Sequence, residues 1–261
     1  MIRSLWTAAT GLSALQLDQD VIANNLANVN TVGFKKSRAD FQDLMYHLIT
    51  KSGSETSSGS QLPAGIEVGM GVKPVATQKI FTQGDYQQTG NQFDLAIEGA
   101  GFFQIVNDDG RTVYTRAGNF KIDKDGALCN SEGLKLTPEI TIPTDAVAFT
   151  VDKGGKCSVS DAIGVSTNVG QIELANFINP AGLISQGRNL YDKTESSGDP
   201  ITGNPGVDGR GTITQHFLEM SNVNVIDEMV KMIVGQRAYE INSKSIQTAD
   251  NMLQMINGLK R

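Results

Sequence analysis

Residues 1–33 read MIRSLWTAATGLSALQLDQDVIANNLANVNTVG, and this stretch contains an apolar heptad seam. Counted in alternating steps of four and three from Met1 to Val29, nine positions fall on one face, and eight of them are apolar. Such a seam is typical of a coiled-coil helix. Because Gly33 can adopt the left-handed conformation that ends a helix, the pattern predicts a helix from about residue 3 to about residue 29.

A second apolar helix is predicted at the other end of the chain. Asn224 is a suitable N-cap, and Asp227 and Glu228 follow in the first turn, where the helix dipole stabilises carboxylates. Two apolar seams run along this helix. The first consists of Val225, Met229, Met232, Tyr239, Ile246 and Leu253, and the second of Val234, Ala238, Ile241, Met252, Met255 and Leu259. Two seams indicate more than one packing partner.

Both helices are almost free of charge. Residues 7–32 and residues 241–259 each contain only two charged side chains. A solvated helix face is normally rich in charge, so these faces favour lateral packing against copies of the same chain, or a neutral wet lumen. An intramolecular antiparallel hairpin of the two ends is the alternative. The seam residues predicted to mediate self-assembly are Leu5, Ala8, Leu12, Leu15, Ile22, Leu26, Val234, Ala238, Ile241, Met252, Met255 and Leu259.

The middle of the chain is predicted to be rich in β-strands. All seven prolines lie between residues 63 and 205. Phe102–Val106 leads into Asn107–Gly110 and out through Val113–Thr115, which indicates a hairpin. Further strands are predicted at 75–81, 94–97, 120–122, 127–129, 148–151 and 171–177, with an irregular loop at 199–211 and a linker at 51–71.

The predicted fold class is therefore α+β, with long terminal helices packing as a coiled-coil region and a β-rich middle inserted between them. The predicted domains are a discontinuous helical polymerisation domain (1–33 and 222–261), an extended connecting region (34–92 and 187–221) and a β-rich outer domain (93–186).

Two segments resemble phosphate- or calcium-binding motifs, but each lacks residues that the motif requires. Asp123-x-Asp125-Gly126 lacks the glycine and glutamate spacing of an EF-hand, so a turn is predicted. Gly154-Gly155-Lys156 lacks the first glycine and the magnesium-binding hydroxyl of a phosphate loop, so a hairpin tip is predicted.

Cysteine and histidine are too few for a catalytic or metal centre. Cys129, Cys157, His47 and His216 are scattered, although a single disulfide is possible. Both histidines lie among apolar neighbours and are predicted to be structural. We therefore predict no catalytic residue, no metal and no cofactor.

The charge balance excludes some partners. There are 22 basic and 28 acidic residues, a net charge of −6, and no run of lysine or arginine. Binding to nucleic acid or anionic lipid is therefore disfavoured. No apolar stretch reaches the ~18 residues of a membrane span, so no direct membrane insertion is expected. None resembles a cleaved signal peptide, so the chain is expected to stay in the cytosol or to leave by another route.

Three segments resemble one family. Residues 23–35, ANNLANVNTVGFK, resemble the N-terminal signature of the flagellar rod and hook proteins, and residues 236–253 are similar to that family's C-terminal helix. Residues 93–103 and 114–120 resemble its first β-domain. The signature positions are Asn25, Asn28, Gly33, Phe34, Arg237, Tyr239 and Asn242.

The resemblance implies a subunit of a homo-oligomeric helical polymer, with the terminal helices in an inner tube and the middle in outer layers. The implied partners are other rod proteins, the hook protein, the surrounding basal-body rings and the flagellar type III export apparatus. The implied location is a periplasm-spanning rod of the basal body, reached without a cleaved signal peptide.

Within the family, the length, the single modest β insertion and the opening of the last helix at Glu228–Val230 are closest to the distal rod members. Residues 46–71 resemble the extra extended segment of those members, which is expected to stiffen the polymer. A proximal rod or hook-type subunit is the alternative within the family, and a secreted β-rich wall hydrolase is the alternative from another class.

Overall fold

The computed structural model describes residues 2–53, 63–107, 109–161 and 165–259, and it confirms the α+β class. The chain forms two compact units. The helical unit consists of Met1–Leu26, Ser37–Gln78 and Asn224–Arg261, and the β unit consists of Ala27–Lys36 and Lys79–Val223. The connecting region predicted at 34–92 is thus divided between the two units.

Two long helices dominate the helical unit. Helix α1 spans Ile2–Ala27 and helix α2 spans Val225–Leu259. The predicted cap of α2 is confirmed, because Asn224 Oδ1 accepts hydrogen bonds from the backbone N–H groups of Ile226 (3.0 Å) and Asp227 (3.4 Å). These bonds satisfy donors that have no partner inside the first turn.

The expected helix stop at Gly33 is wrong in detail. Helix α1 already ends at Ala27, and turns follow it. Gly33 does have a positive φ of 68°, but a Cβ atom there would lie only 2.6 Å from the backbone nitrogen of Ala117. Glycine is therefore required because two backbone segments of the β unit approach closely, and not because it caps the helix.

The helical unit also contains a β-ribbon that is two strands wide and is formed by two successive pairs of strands. Its strands are β1 (Ser37–Asp43), β2 (Tyr46–Thr50), β3 (Ile66–Gly69) and β4 (Val72–Lys79). Strand β1 pairs with β4 and β2 pairs with β3, and the Leu44 N–H donates to the Gly71 carbonyl between the two pairs (2.8 Å). The linker predicted at 51–71 is therefore partly wrong, because β3 lies inside it; residues 54–62 lie outside the described part.

The β unit is built from short strands. They are β5 (Tyr86–Gln88), β6 (Leu95–Glu98), β7 (Phe102–Val106), β8 (Thr112–Thr115), β9 (Lys121–Ile122), β10 (Leu128–Cys129), β11 (Leu136–Thr137), β12 (Ala146–Val151), β13 (Lys156–Asp161), β14 (Ser166–Gln171), β15 (Leu174–Asn176), β16 (Ile184–Gly187), β17 (Leu190–Asp192), β18 (Ile201–Gly203), β19 (Thr212–Gln215) and β20 (Phe217–Glu219), with a 3-10 turn at Pro180–Gly182.

The main sheet has the order β16-β17-β8-β7-β15-β18, and β11 also pairs with β7. Strands β12-β13-β14 form a second sheet, and β9-β10, β6-β19 and β5-β20 form pairs. The predicted hairpins of β7 with β8 and of β9 with β10 are confirmed. The single strand predicted at 171–177 is wrong, because β14 ends and β15 begins within it; the loop predicted at 199–211 contains β18.

Two apolar clusters fill the β unit, one on each face of β7. Phe103 and Ile105 belong to the larger cluster, whereas Phe102 belongs to the smaller one with Tyr114 and Tyr191. Alternate residues of a strand point to opposite faces of the sheet. Strand β7, in which Gln104 is also buried, is therefore covered on both sides.

The cysteines are buried and free, so no disulfide joins Cys129 to Cys157. Burial raises the pKa of both thiols, that of Cys157 to about 12. The histidines, expected to be structural among apolar neighbours, are both exposed. His216 adopts a positive φ of 65°, and its Nδ1 lies 3.1 Å from the Asn91 carbonyl oxygen.

Candidate assembly interface

Helices α1 and α2 lie side by side and antiparallel within one chain. A Cβ atom on Gly235 would lie 3.7 Å from the side chain of Gln19, and a Cβ atom on Gly11 would lie 3.4 Å from Asn242 Nδ2. A later residue of α1, Gln19, thus lies beside an earlier residue of α2, Gly235, and the earlier Gly11 lies beside the later Asn242, so the helices are antiparallel. Both distances are ordinary van der Waals contacts, so the two helices touch at both of these levels. The chain forms the intramolecular hairpin that the sequence left open as an alternative.

A polar junction fixes the end of α1 against the start of α2. Asn25 Nδ2 donates to the Ser37 carbonyl (2.8 Å) and to Glu228 Oε2 (3.3 Å), and Asn25 Oδ1 accepts from the Ser37 N–H (2.9 Å). Lys231 Nζ donates to Glu228 Oε1 at 2.7 Å. Burial raises the pKa of nearby Asp18, and the positive charge of Lys231 opposes that shift. A carboxamide suits this place because it donates and accepts at once.

The α1 seam is largely covered within the chain. Ala8 and Ile22 are buried, and Leu5, Leu12, Leu15 and Leu26 are half-buried. Covering comes from more than one side, because the Val72 N–H of the β-ribbon donates to Thr10 Oγ1 at 3.4 Å. The α1 residues predicted to bind other copies therefore also hold the subunit itself together.

The second α2 seam remains exposed. Val234, Ile241 and Met255 are each more than 60% exposed, and Met252 is 44% exposed. Ala238 is half-buried, and the side chain of Leu259 lies outside the described part. In the first seam Met232, Ile246 and Leu253 are half-buried, whereas Val225, Met229 and Tyr239 are exposed.

A further apolar stripe on α2 was missed from the sequence. It consists of Ile226, Met229, Val230 and Ile233, and we call it the outer stripe. All four side chains are exposed, Ile226 by 73%. Their spacing of three, four and seven residues is that of one helix face. The spacing of these residues is visible in the sequence, but Met229 had already been assigned to the first seam, and the other three residues were therefore not grouped with it.

The β-ribbon also exposes large apolar side chains. Met45, Tyr46, Ile49 and Ile66 are each more than half exposed. The consecutive β2 residues Tyr46, His47 and Leu48 are all exposed, so both faces of the strand are open, because side chains alternate. A hydrogen bond with Asp43 raises the pKa of Tyr46. A two-stranded ribbon is marginally stable by itself, so this surface is suited to being covered.

The other signature residues have distinct places. Arg237 Nη1 donates to Glu240 Oε2 at 3.1 Å on the surface. In the β unit, Asn28 Oδ1 accepts from Thr31 Oγ1 at 3.2 Å. Phe34 is buried, and the Lys79 ammonium lies 5.0 Å from the centre of its ring, within cation–π range.

A buried ion cluster in the β unit was not predicted. Glu219 Oε1 lies 2.5 Å from Lys35 Nζ, and Glu219 Oε2 lies 2.6 Å from Arg116 Nε. Lys35 also donates to the Thr82 carbonyl at 2.7 Å, and the Gly84 N–H donates to Glu219 Oε1 at 3.0 Å. Burial lowers the pKa of Lys35, and the Glu219 carboxylate opposes that shift.

Within the described ranges, no three His, Cys, Asp or Glu side chains cluster closely enough to hold a metal ion. Over the same ranges, neither helix is sufficiently long and apolar to cross a membrane. What distinguishes the helical unit is a set of exposed apolar stripes on a helical hairpin. Such a surface is typical of a protein that packs against other proteins.

Comparison with known proteins identifies the class as flagellar rod and hook proteins. Residues 5–35 match the flagella basal body rod protein family, residues 96–159 match the flagellar hook protein FlgE/F/G D1 domain, and residues 214–259 match the flagellar basal body rod FlgEFG protein C-terminal family.

Full-length relatives narrow the class. The flagellar basal-body rod protein FlgG of Borreliella burgdorferi is 50% identical, with 100% of both chains covered. The FlgG of Buchnera aphidicola subsp. Schizaphis graminum is 47% identical over 99% of this chain and 100% of that one. The FlgG of Bacillus subtilis is 42% identical, again with 100% of both covered. The chain belongs to the flagellar basal-body rod protein FlgG family, and it is a structural subunit of the distal rod.

Proposed function

We propose that the chain polymerises through its helical unit into a straight, hollow rod that transmits torque to the hook and forms part of the export channel. The observation that carries the proposal is the exposed apolar surface of α2, which includes both the outer stripe and the second seam. Monomeric proteins rarely expose contiguous apolar patches of more than a few hundred Å². A second copy of the same chain is the partner that the family membership supports.

The energetics favour a stiff polymer. Full burial of one large aliphatic side chain contributes about 1.5–3 kcal/mol. Each copy offers many such side chains on α2, so neighbouring subunits would be held by the sum of several contacts. Since the helices are long and close-packed, bending the polymer would open these contacts. Torque transmission needs this resistance to bending.

The nearly uncharged polar faces of the helices support a channel. A lumen lined by Asn, Gln, Ser and Thr side chains is hydrated but presents few fixed charges. It therefore does not bind a charged polypeptide strongly as that polypeptide passes through. Unfolded chains of either sign would pass such a wall without strong electrostatic trapping. We assign the lining to the helical unit and the outer layers to the β unit.

The proposed partners are other rod proteins, the hook protein, the surrounding basal-body rings and the flagellar type III export apparatus, besides copies of the chain itself. The proposed site of action is the periplasm-spanning rod. We further propose that the chain is not an enzyme. Membership of a structural family supports each of these assignments.

The proposal is tested by placing one charge in the exposed α2 seam. Ile241→Asp should abolish sedimentable polymer while leaving the far-ultraviolet circular dichroism of the subunit unchanged, because Ile241 is 64% exposed in the single chain. Ile178→Asp in the β unit is the matched control, since Ile178 is 83% exposed. Polymer from Ile241→Asp at the wild-type critical concentration would refute the role of the seam.

Leu12→Asp separates the two roles of the seams. Leu12 is half-buried in the chain, so the carboxylate should weaken the subunit's own hairpin as well as the polymer. We expect reduced helix signal in the dilute variant, with the β unit still folded. A normal hairpin and normal polymer would mean that the α1 seam is misassigned.

The segment of residues 46–71, which contains β2 and β3 of the β-ribbon, is proposed to keep the polymer straight by lying between neighbouring subunits. Its exposed side chains on both faces support this role. Removal of residues 52–65 should give a curved, hook-like filament in electron micrographs. A straight filament after the deletion would remove this part of the proposal.

A further inference from the structure

The helical unit contains an apolar groove where the second half of α2 lies beside the start of α1. Its volume is about 410 Å³. It is lined by Ser4 of α1 and by Ile241, Lys244, Ser245, Thr248, Ala249 and Met252 of α2. Pockets that take small ligands measure ~300–1,000 Å³, so the groove has room for the ends of several aliphatic side chains.

The outer stripe lies at the other end of the same hairpin. It occupies the first turns of α2, whereas the groove begins at Ile241. The centres of the two surfaces are separated by about 17 residues of helix, or about 26 Å at 1.5 Å per residue. The stripe cannot reach the groove of its own chain, because both belong to one continuous helix. Any contact between them joins two copies.

Charge at the two ends is complementary. Asp20 and Asp227 are exposed near the outer stripe, where the basic Lys231 is paired with the buried Glu228 at 2.7 Å. Arg3 and Lys244 are exposed near the groove, where Asp250 is the acidic neighbour. Lys244 stands at the groove itself. A copy that places its stripe in the next groove would bring its acidic end to a basic one. Contacts between two stripes would instead set two ends of the same net negative charge against each other.

We propose that the outer stripe of one copy docks in the groove of the next copy, with Asp227 facing Lys244. The inference rests on the proposed self-assembly and adds the polarity and the identity of one repeating contact. Because the two surfaces differ, the interface is heterologous. Such an interface need not close, and it repeats into an open helical polymer.

Directed cross-linking tests the contact. Ile233→Cys places a thiol in the stripe, and Thr248→Cys places one in the groove. The wild-type chain is the control, because its two cysteines are buried. Each variant is polymerised alone and in an equimolar mixture, oxidised with copper phenanthroline, and separated on a non-reducing gel. We expect a covalent dimer from the mixture and none from either variant alone.

Several results would overturn the contact. A dimer from one variant alone would show a like-with-like interface, and polymer without a mixed dimer would show that stripe and groove do not meet. Trp6 of α1 is the competing apolar side chain, since it is 66% exposed. A dimer of Thr248→Cys with Trp6→Cys would assign the groove to Trp6 of the neighbour. If the wild-type chain forms no sedimentable polymer at all, the self-assembly itself fails, and this contact fails with it.

A charge exchange provides an independent readout. Asp227→Lys should raise the critical concentration for polymerisation a few-fold, because it sets two cations against each other. Adding Lys244→Asp should return the critical concentration to near the wild-type value. A double variant that polymerises no better than Asp227→Lys would contradict the pairing.

Discussion

The buried ion cluster predicts a severe effect of one isosteric change, Glu219→Gln. The carboxylate of Glu219 holds Lys35 at 2.5 Å and Arg116 at 2.6 Å. A glutamine retains the shape but removes the negative charge, which leaves two buried cations beside a neutral group. Its amide N–H₂ would also point a donor at one of the two cationic donors.

The magnitude follows from the contacts that are lost. A hydrogen bond to a charged group contributes about 1.5–3 kcal/mol, and two such bonds give about 3–6 kcal/mol. Breaking a buried ion pair from one side costs a similar ~3–5 kcal/mol. Domains are commonly stable by only ~5–15 kcal/mol, so the β unit should lose a large fraction of its stability.

Urea unfolding is the assay, followed by tyrosine fluorescence because Tyr114 and Tyr191 lie in the core of the β unit. With a urea slope of ~2 kcal/mol/M, the midpoint should fall by about 1.5–3 M. Glu240→Gln is the matched control, since its pair with Arg237 is exposed and such pairs contribute about 0–1 kcal/mol. A loss for Glu219→Gln no larger than that of the control would refute the reasoning.

Two further predictions concern the β unit. Gly33→Ala combines a positive φ of 68° with a Cβ atom 2.6 Å from the Ala117 nitrogen. It should lower the melting temperature by several degrees more than the control Gly133→Ala, whose φ is +88° but whose Cβ atom would meet nothing within 4 Å. Equal losses for the two variants would contradict the clash. Burial raises the pKa of Tyr191 and of Tyr86 to about 12, so their protonated forms favour the folded state. The resulting stability is complete below pH ~10 and is lost as the pH rises towards 12. The phenols of Tyr191 and Tyr86 should both titrate near pH 12 when absorbance is followed at 295 nm. Tyr191→Phe should therefore reduce the amplitude of this late step by about half. An unchanged amplitude would refute the assignment.

Local sequence patterns were sufficient for the helices and the tight hairpins. The heptad seam of α1, the Asn224 cap of α2 and the turn between β7 and β8 each act over a few residues, so periodicity and turn chemistry reveal them. The α1 stop at Gly33 failed because the same positive φ serves a helix end and a close backbone contact, and the sequence does not distinguish these uses.

Contacts between residues far apart in the chain could not be predicted from local sequence patterns. The β-ribbon joins 37–50 to 66–79 across a Ser- and Gly-rich segment whose composition is that of a linker. The ion cluster brings Lys35 and Arg116 to Glu219, residues that are 184 and 103 positions away from it. Neither arrangement leaves a periodic trace. The seams gave the apolar faces of the helices, but only the structure shows which faces their own chain covers.

Hydroxyl-radical footprinting tests most directly the central claim that the exposed faces of α2 become buried between subunits. Met229 in the outer stripe and Met255 in the second seam are 50% and 64% exposed in the single chain. Their oxidation rates should fall several-fold when dilute subunits are concentrated into polymer, while that of Ile178 in the β unit changes little. If Met229 and Met255 are oxidised as fast in the polymer as in the monomer, the helical unit does not form the contacts that build the rod.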